Sequence, residues 1–295
     1  MPTGELLILA AVLSALPLTI GILVYVSASF ALMRAHTVAR PARLHLREAL
    51  REIAWAALTQ PLLPLYYVVG RRMAGGSGTP VVVIHGYTQN RVDFLRIARA
   101  CGRAGLGPVY GFNYPWFASV PASAGRLARF VEGVRRETGA DRVDLVAHSL
   151  GGLVALEYLH EAGTGHVRRL VTIASPHAGV AWRGPILGAV GAQMREGCTY
   201  LVERASRALP VPSLSIYSTH DNVVHPPATS ALATRGGRDH PVSDVGHLAI
   251  LFDPGVVRAV VAFLGAKADD ACREPARAPD APAEPDLQAS GLASA

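Results

Sequence analysis

Residues 143–152 read Val-Asp-Leu-Val-Ala-His-Ser-Leu-Gly-Gly, an apolar run that ends on a serine and passes straight into small and apolar residues. Val143 to Ala147 is predicted as a short strand of the buried, parallel type, and Leu150 to His160 as the helix that follows. A serine on so tight a strand-to-helix turn stands exposed at the top of a sheet. Its flanks two before and two after must be small, because a larger side chain collides with the adjoining strand or helix. Gly151 fills the second of these positions, and Ala147 stands at the first, where Gly is usual. The helix after Ser149 turns its free N–H groups toward the same point. The plainer alternative is a serine that only caps a helix.

The pattern repeats outward from that stretch. Pro80 to Ile84 is a second buried run, and residues 91–104 carry a helical stripe that stops at Gly105. Pro108 to Phe112 is a strand, and Leu127, Phe130, Val131 and Val134 mark a helix. Val167 to Ala174 and Leu214 to Ser218 are further strands, and Val256 to Leu264 is the last helix. Strand and helix in alternation predict an α/β fold, a mainly parallel sheet flanked by helices on both faces. In such sheets chemistry gathers at the carboxyl ends of the strands.

Three other strand ends or loops then stand out. His85-Gly86-Tyr87 follows the Val81–Ile84 run, and the backbone N–H groups of Tyr87 and Leu150 are candidates to hold a developing oxyanion. Asp221 follows the Leu214–Ser218 strand and suits an acid that orients an imidazole. His247, leading into the last helix, suits a general base toward Ser149. The order Ser149, Asp221, His247 is a nucleophile–acid–histidine order. Asp244 and Asp253 compete with Asp221, and His225 and His240 with His247. Neither aspartate follows an expected strand. His148 and His177 read as local hydrogen-bonding residues. His220, Asp221 and His225 make a poor metal set, since no cysteine or carboxylate cluster completes it; neither a metal nor a cofactor is expected.

Residues 79–264 resemble bacterial triacylglycerol lipases and esterases of the α/β-hydrolase superfamily. The strings that carry the resemblance are Val-Ile-His-Gly-Tyr (83–87), Ala-His-Ser-Leu-Gly-Gly (147–152), Ile-Ala-Ser-Pro-His-Ala-Gly (173–179), Tyr-Ser-Thr-His-Asp-Asn-Val-Val (217–224) and Gly-His-Leu (246–248). Some such lipases share the alanine found here at 147. The resemblance implies Ser149 as nucleophile, Asp221 as acid, His247 as base, Tyr87 and Leu150 as oxyanion donors, and a lipid-derived or other acyl ester as substrate. Acyl transfer or thioester cleavage would use the same residues. A non-catalytic tethered protein of the same fold is the reading from another class. Between Pro176 and Pro212 there is room for one or two short helices, with Trp182, Ile186, Leu187, Val190, Met194, Tyr200 and Leu201 to line an acyl groove or to pack on the core.

The resemblance does not reach the ends of the chain. Leu6 to Met33 is uncharged for 28 residues, long enough as a helix to exceed a hydrocarbon core of about 30 Å. With Glu5 and no Lys or Arg before it, it reads as a retained transmembrane anchor rather than a cleaved signal. Residues 34–78 read as a basic juxtamembrane and apolar linker. Within it, Ile53 to Val69 is an uncharged run of 17 residues read as interfacial or protein-packed, not as a second span. The hydrolase-like domain is set at 79–265 and a disordered, Pro- and Ala-rich tail at 266–295. These features suggest a single-pass protein of a bacterial cytoplasmic membrane, with the side of the domain left open.

Composition agrees. Half of the 295 residues are apolar and 17% charged, which excludes a disordered polar chain. The net charge of +6 invites a nucleic-acid reading, but residues 34–72 alone hold seven Arg against two Glu. Basic residues beside an apolar segment signal topology or anionic lipid, and no nucleic-acid-binding motif accompanies them. Three cysteines without motif spacing frame neither a disulfide scaffold nor a zinc site.

Overall fold

The computed structural model describes residues 20–21, 23–34, 41–60, 70–182 and 186–266. Residues 267–295 of the expected tail lie outside them, as does most of the expected anchor. Among the described residues no helix is long and apolar enough to cross a membrane.

Seven strands make one sheet: β1 (Arg72–Ala74), β2 (Val81–Ile84), β3 (Val109–Phe112), β4 (Val143–His148), β5 (Val167–Ile173), β6 (Ser213–Ser218) and β7 (Arg238–Val242). Their order is β1-β3-β2-β4-β5-β6-β7. All pairs are parallel except β1 with β3 at one edge. Every residue of β2 and β4 is buried, the consequence of covering both faces of a sheet. Side chains alternate between the layers: Val82 and Ile84 join one apolar cluster, Val81 and Val83 the other.

Helices α4 (Val120–Thr138) and α5 (Leu150–Tyr158), with the one-turn α6 (Thr199–Val202), lie on the first face, and α3 (Leu95–Arg103) and α7 (Pro254–Gly265) cover the second. Their ends follow from local chemistry. Ser119 caps α4 with Pro121 in its first turn, and Gly139 ends it at φ 68°, a left-handed conformation that glycine adopts without steric cost. Along its length Val120, Ala124, Leu127, Val131 and Val134 form the buried stripe. Asp253 caps α7 by accepting from the N–H groups of Gly255 (2.8 Å) and Val256 (3.2 Å).

Two strands escape the sequence pattern. β1 is only three residues at an edge, and β7 (Arg-Asp-His-Pro-Val) is too polar to read as a buried run. Both are sheet edges, where one side faces solvent and the apolar signal fades. The body also begins before residue 79. Helices α1 (residues 23–33) and α2 (Ala42–Thr59) pack beside it. Val26, Phe30 and Met33 are buried with Ala49 and Ile53 against them. The Trp55 ring stacks on Phe252 at 4.0 Å between centroids. So Ile53 to Gln60, the described start of the second uncharged run, is protein-packed helix and short terminal turn; residues 61–69 lie outside the described residues.

Candidate active site

The turn that carries Ser149 is built by the backbone. Ser149, between β4 and α5, sits at φ 52°, ψ −126°, a region costly for a residue with a Cβ and held only where surroundings over-determine it. Here its N–H donates to the Ile173 carbonyl of β5 (2.9 Å), and its own carbonyl accepts from Gly152 (2.9 Å). A Cβ on Gly151 would strike the Ile84 and His85 carbonyls, and one on Gly152 would strike Ser175. Helix α5 can therefore start this close to β2 and β5 only with glycine at both positions. Gly86 meets the same requirement from the other side: a Cβ there would lie 2.9 Å from Ser149 Cβ and 2.5 Å from Gln89 Oε1. The backbone entering Tyr87 is thus pressed against the serine.

Three elements converge on Ser149. His247 Nε2 lies 3.0 Å from Ser149 Oγ. On the other side of the ring, Nδ1 lies 2.9 Å and 3.1 Å from the two Asp221 oxygens. Asp221 is itself fixed, accepting from the N–H groups of Val223 (2.8 Å) and Val224 (2.7 Å). Burial alone would lower the His247 pKa; the charge of Asp221, its hydrogen bond and the charge of Glu52 outweigh that and leave it raised. A serine joined in this way to an imidazole and a buried carboxylate can give up its proton as it attacks an electrophile.

The rival residues have other partners. Asp253 caps α7 and pairs with Arg51 at 3.2 Å. Asp244 does follow a strand, the unexpected β7, but the carboxylate on His247 Nδ1 is that of Asp221. His240 is on β7, His177 Nε2 lies 3.1 Å from Thr172 Oγ1, and burial takes the His177 pKa down to about 3. His148 is structural in an informative way. Its Nδ1 lies 2.7 Å from Gln89 Oε1 and its Nε2 3.0 Å from the His247 carbonyl oxygen. Burial, then the neighbouring charges of His247 and His85, push its pKa well down. Among the described residues no group of three metal-ligating side chains assembles. Cys101 and Cys198 are free thiols, and Cys272 lies outside the described residues.

Sequence reasoning passed over Gln89, Asn222 and Glu52. Gln89 Oε1 accepts from Gly86 N–H at 2.9 Å and so ties the His85–Tyr87 loop to His148. Asn222 Oδ1 accepts from the His247 N–H at 2.8 Å. Glu52 Oε1 and Oε2 accept from the N–H groups of Leu248 (2.7 Å) and Ala249 (2.9 Å). The one available sign was that Glu48 and Glu52 are the sole acidic residues in a basic stretch, one helical turn apart.

The segment between Pro176 and Pro212 divides. Val190, Met194 and Leu201 are buried in the core, whereas Leu187 and Trp182 are exposed. The Tyr87 hydroxyl donates to the Leu187 carbonyl (3.1 Å) and accepts from its N–H (2.9 Å), so this segment leans across the His85–Tyr87 loop. Exposed Phe117 joins the same rim, packed edge-on to Trp116, which in turn meets Tyr87.

Residues 79–196 match the family model for the alpha/beta hydrolase fold. A triacylglycerol lipase of Burkholderia plantarii is 30% identical over 152 residues, 45% of this chain and 41% of its own. The chain thus spans about two-fifths of that relative's length. Among solved structures, Aspergillus fumigatus lipase B superposes with a TM-score of 0.56 at 18% identity, over 66% of this chain and 56% of that one. The mature form of the Bacillus licheniformis lipase BlEst2 gives 0.55 at 15%, over 65% of this chain and 94% of that one.

Proposed function

We propose that this chain, whose body has the α/β-hydrolase fold, is a serine hydrolase of carboxylic esters. The observation that carries the proposal is the continuous contact from Ser149 Oγ through the His247 ring to Asp221. In the reaction Ser149 Oγ attacks the ester carbonyl carbon while His247 Nε2 takes the hydroxyl proton. The N–H groups of Tyr87 and Leu150 hold the oxyanion, where each donor contributes roughly 3–4 kcal/mol. Collapse breaks the ester C–O bond, and the alcohol leaves with the proton from His247. Water, deprotonated by His247, then cleaves the acyl–Ser149 bond.

The substrate proposed is a lipid-derived acyl ester met at a membrane. Two features support it: the exposed apolar side chains of Phe117 and Leu187 beside the Tyr87 loop, with Trp182 exposed elsewhere on the same segment as Leu187, and the uncharged run 6–33 followed by arginines. Leu46 and Leu50, one turn apart on α2, add exposed apolar surface in that basic stretch. Purified chain and Ser149→Ala are to be assayed on p-nitrophenyl esters of rising acyl length, on triglyceride and phospholipid, and on acyl-thioesters. Serine-dependent turnover that rises with chain length is expected. A preference for two-to-four-carbon acyl groups makes it an esterase of soluble substrates, faster thioester cleavage makes it a thioesterase, and no turnover anywhere ends the hydrolase reading. Reporter fusions after residues 45 and 265 test the single span in a bacterial cytoplasmic membrane.

A further inference from the structure

The His247 loop carries no regular secondary structure before the short helical turn at Ala249–Phe252. Its backbone is held by side chains instead. Asn222 takes the His247 N–H, His148 Nε2 faces the His247 carbonyl, and both Glu52 oxygens take the next two N–H groups. Glu52 also closes on Gly246: a Cβ there would collide with its carboxylate. This carboxylate is buried, 3% exposed, and belongs to a helix that precedes both the sheet and the stretch matching the hydrolase family model. A second tie comes from α1. Asn222 Nδ2 donates to Ser29 Oγ (2.8 Å), which donates to the Val26 carbonyl (2.9 Å).

We infer that Glu52 is a positioning residue for the catalytic base: reaching in from the N-terminal helices, it fixes the His247 loop by two backbone hydrogen bonds. The inference rests on the triad reading above. The groups that act with it on His247 are Asp221 after β6 and His148 at the end of β4; Tyr25 of α1 faces Glu52, and Glu48 lies one turn back on its own helix. Two N–H donors aimed at one carboxylate offer what a single amide oxygen cannot replace, since the amide turns an NH2 toward one of them. Hydrogen bonds from neutral donors to a charged acceptor are also about twice as strong as neutral ones.

The test is made on the full chain with Glu52→Gln, Glu52→Asp and Glu52→Ala. Three readouts are taken: steady-state kinetics on p-nitrophenyl butyrate across pH, the rate of Ser149 labelling by a fluorophosphonate, and thermal melting. E52Q is expected to lose about tenfold in kcat with KM within about twofold, the signature of a lost transition-state interaction. Burial raises the Glu52 pKa, and the two N–H groups aimed at its oxygens work against that. With the carboxylate charged, its removal should move the acid limb in kcat/KM to lower pH. E52D keeps the charge and should keep the wild-type limb while kcat falls. Labelling should slow in parallel with kcat. E52Q and E52A that melt earlier but keep the wild-type kcat, limb and labelling rate overturn the inference, since Glu52 would then only stabilise the fold. If E52A does not fold, E52Q decides. A wild type that neither turns over the ester nor takes the label brings down the triad reading as well, so the two failures are distinguishable.

Discussion

The two halves of the site are made in opposite ways. Ser149 is placed by its own backbone, with β4 before it, α5 after it and glycines wherever neighbours approach closely. His247 is placed by side chains drawn from β4, the loop after β6, and α2. A local device is specified within a few residues, while a borrowed one depends on chain as far away as 197 positions. The placement of Ser149 should therefore be insensitive to changes outside the sheet and the helices that flank it, and the placement of His247 should be sensitive to changes in α1 and α2.

That contrast can be broken at several points. Ser149→Ala removes the nucleophile and should reduce kcat by about 10⁴–10⁶-fold, with the protein still folded. Asp221→Asn should cost about 10³–10⁴-fold, because the amide leaves Nδ1 of His247 with the wrong tautomer. Both are read from single-turnover kinetics on a p-nitrophenyl ester. Asn222→Ala, which releases the His247 N–H and the link to Ser29, should lower kcat by about tenfold while leaving KM near wild type. If it behaves as wild type, the base is held more locally than its contacts imply.

The pH profile follows from the same geometry. In the proposed reaction His247 must be neutral to accept the Ser149 proton, and its pKa is raised above the ordinary 6.5. Activity should therefore fall as pH drops through a value above 6.5, with a single ionisation in kcat/KM. A limb below the ordinary histidine value would mean that burial, not the Asp221 charge, dominates at that ring.

The smallest effect concerns stability alone. Asp93, in the short helical turn Arg91–Phe94, is sealed in the protein, and burial raises its pKa to about 7, offset a little by the Gln89 amide. Because the folded value lies above the unfolded one, the folded form binds the extra proton between them. Stability is full below the unfolded value and is lost as pH rises toward 7. Asp93→Asn should thus melt about 2–8 °C higher at pH 8, a gap that shrinks on acidification and closes near pH 4.

Legibility in the sequence follows the same line between local and borrowed. The buried strands β2 to β6 announce themselves as apolar runs, and the Ala-His-Ser-Leu-Gly-Gly turn carries the steric requirements of its own geometry. Asp221 was readable as a polar residue after such a run, and His247 as one that leads into the last helix. The edge strands β1 and β7 were not, since a half-solvated strand needs no apolar alternation of length. Glu52 was hidden for a different reason. A carboxylate in an arginine-rich stretch reads as a solvated charge, and only the fold shows that two backbone N–H groups await it. Equally, the expected start of the domain at residue 79 followed the motifs, and motifs mark chemistry rather than the limits of packing.

The stacking of Trp55 on Phe252 and the reach of Glu52 have a practical consequence. The glycine-rich stretch at residues 75–78 invites a cut there to obtain a compact catalytic fragment. Such a fragment keeps Ser149, Asp221 and His247 but discards the wedge that steadies the histidine. Weak turnover by a trimmed protein would then report a missing brace, and attaching a peptide spanning residues 42–59 would be the remedy to try before abandoning the enzyme.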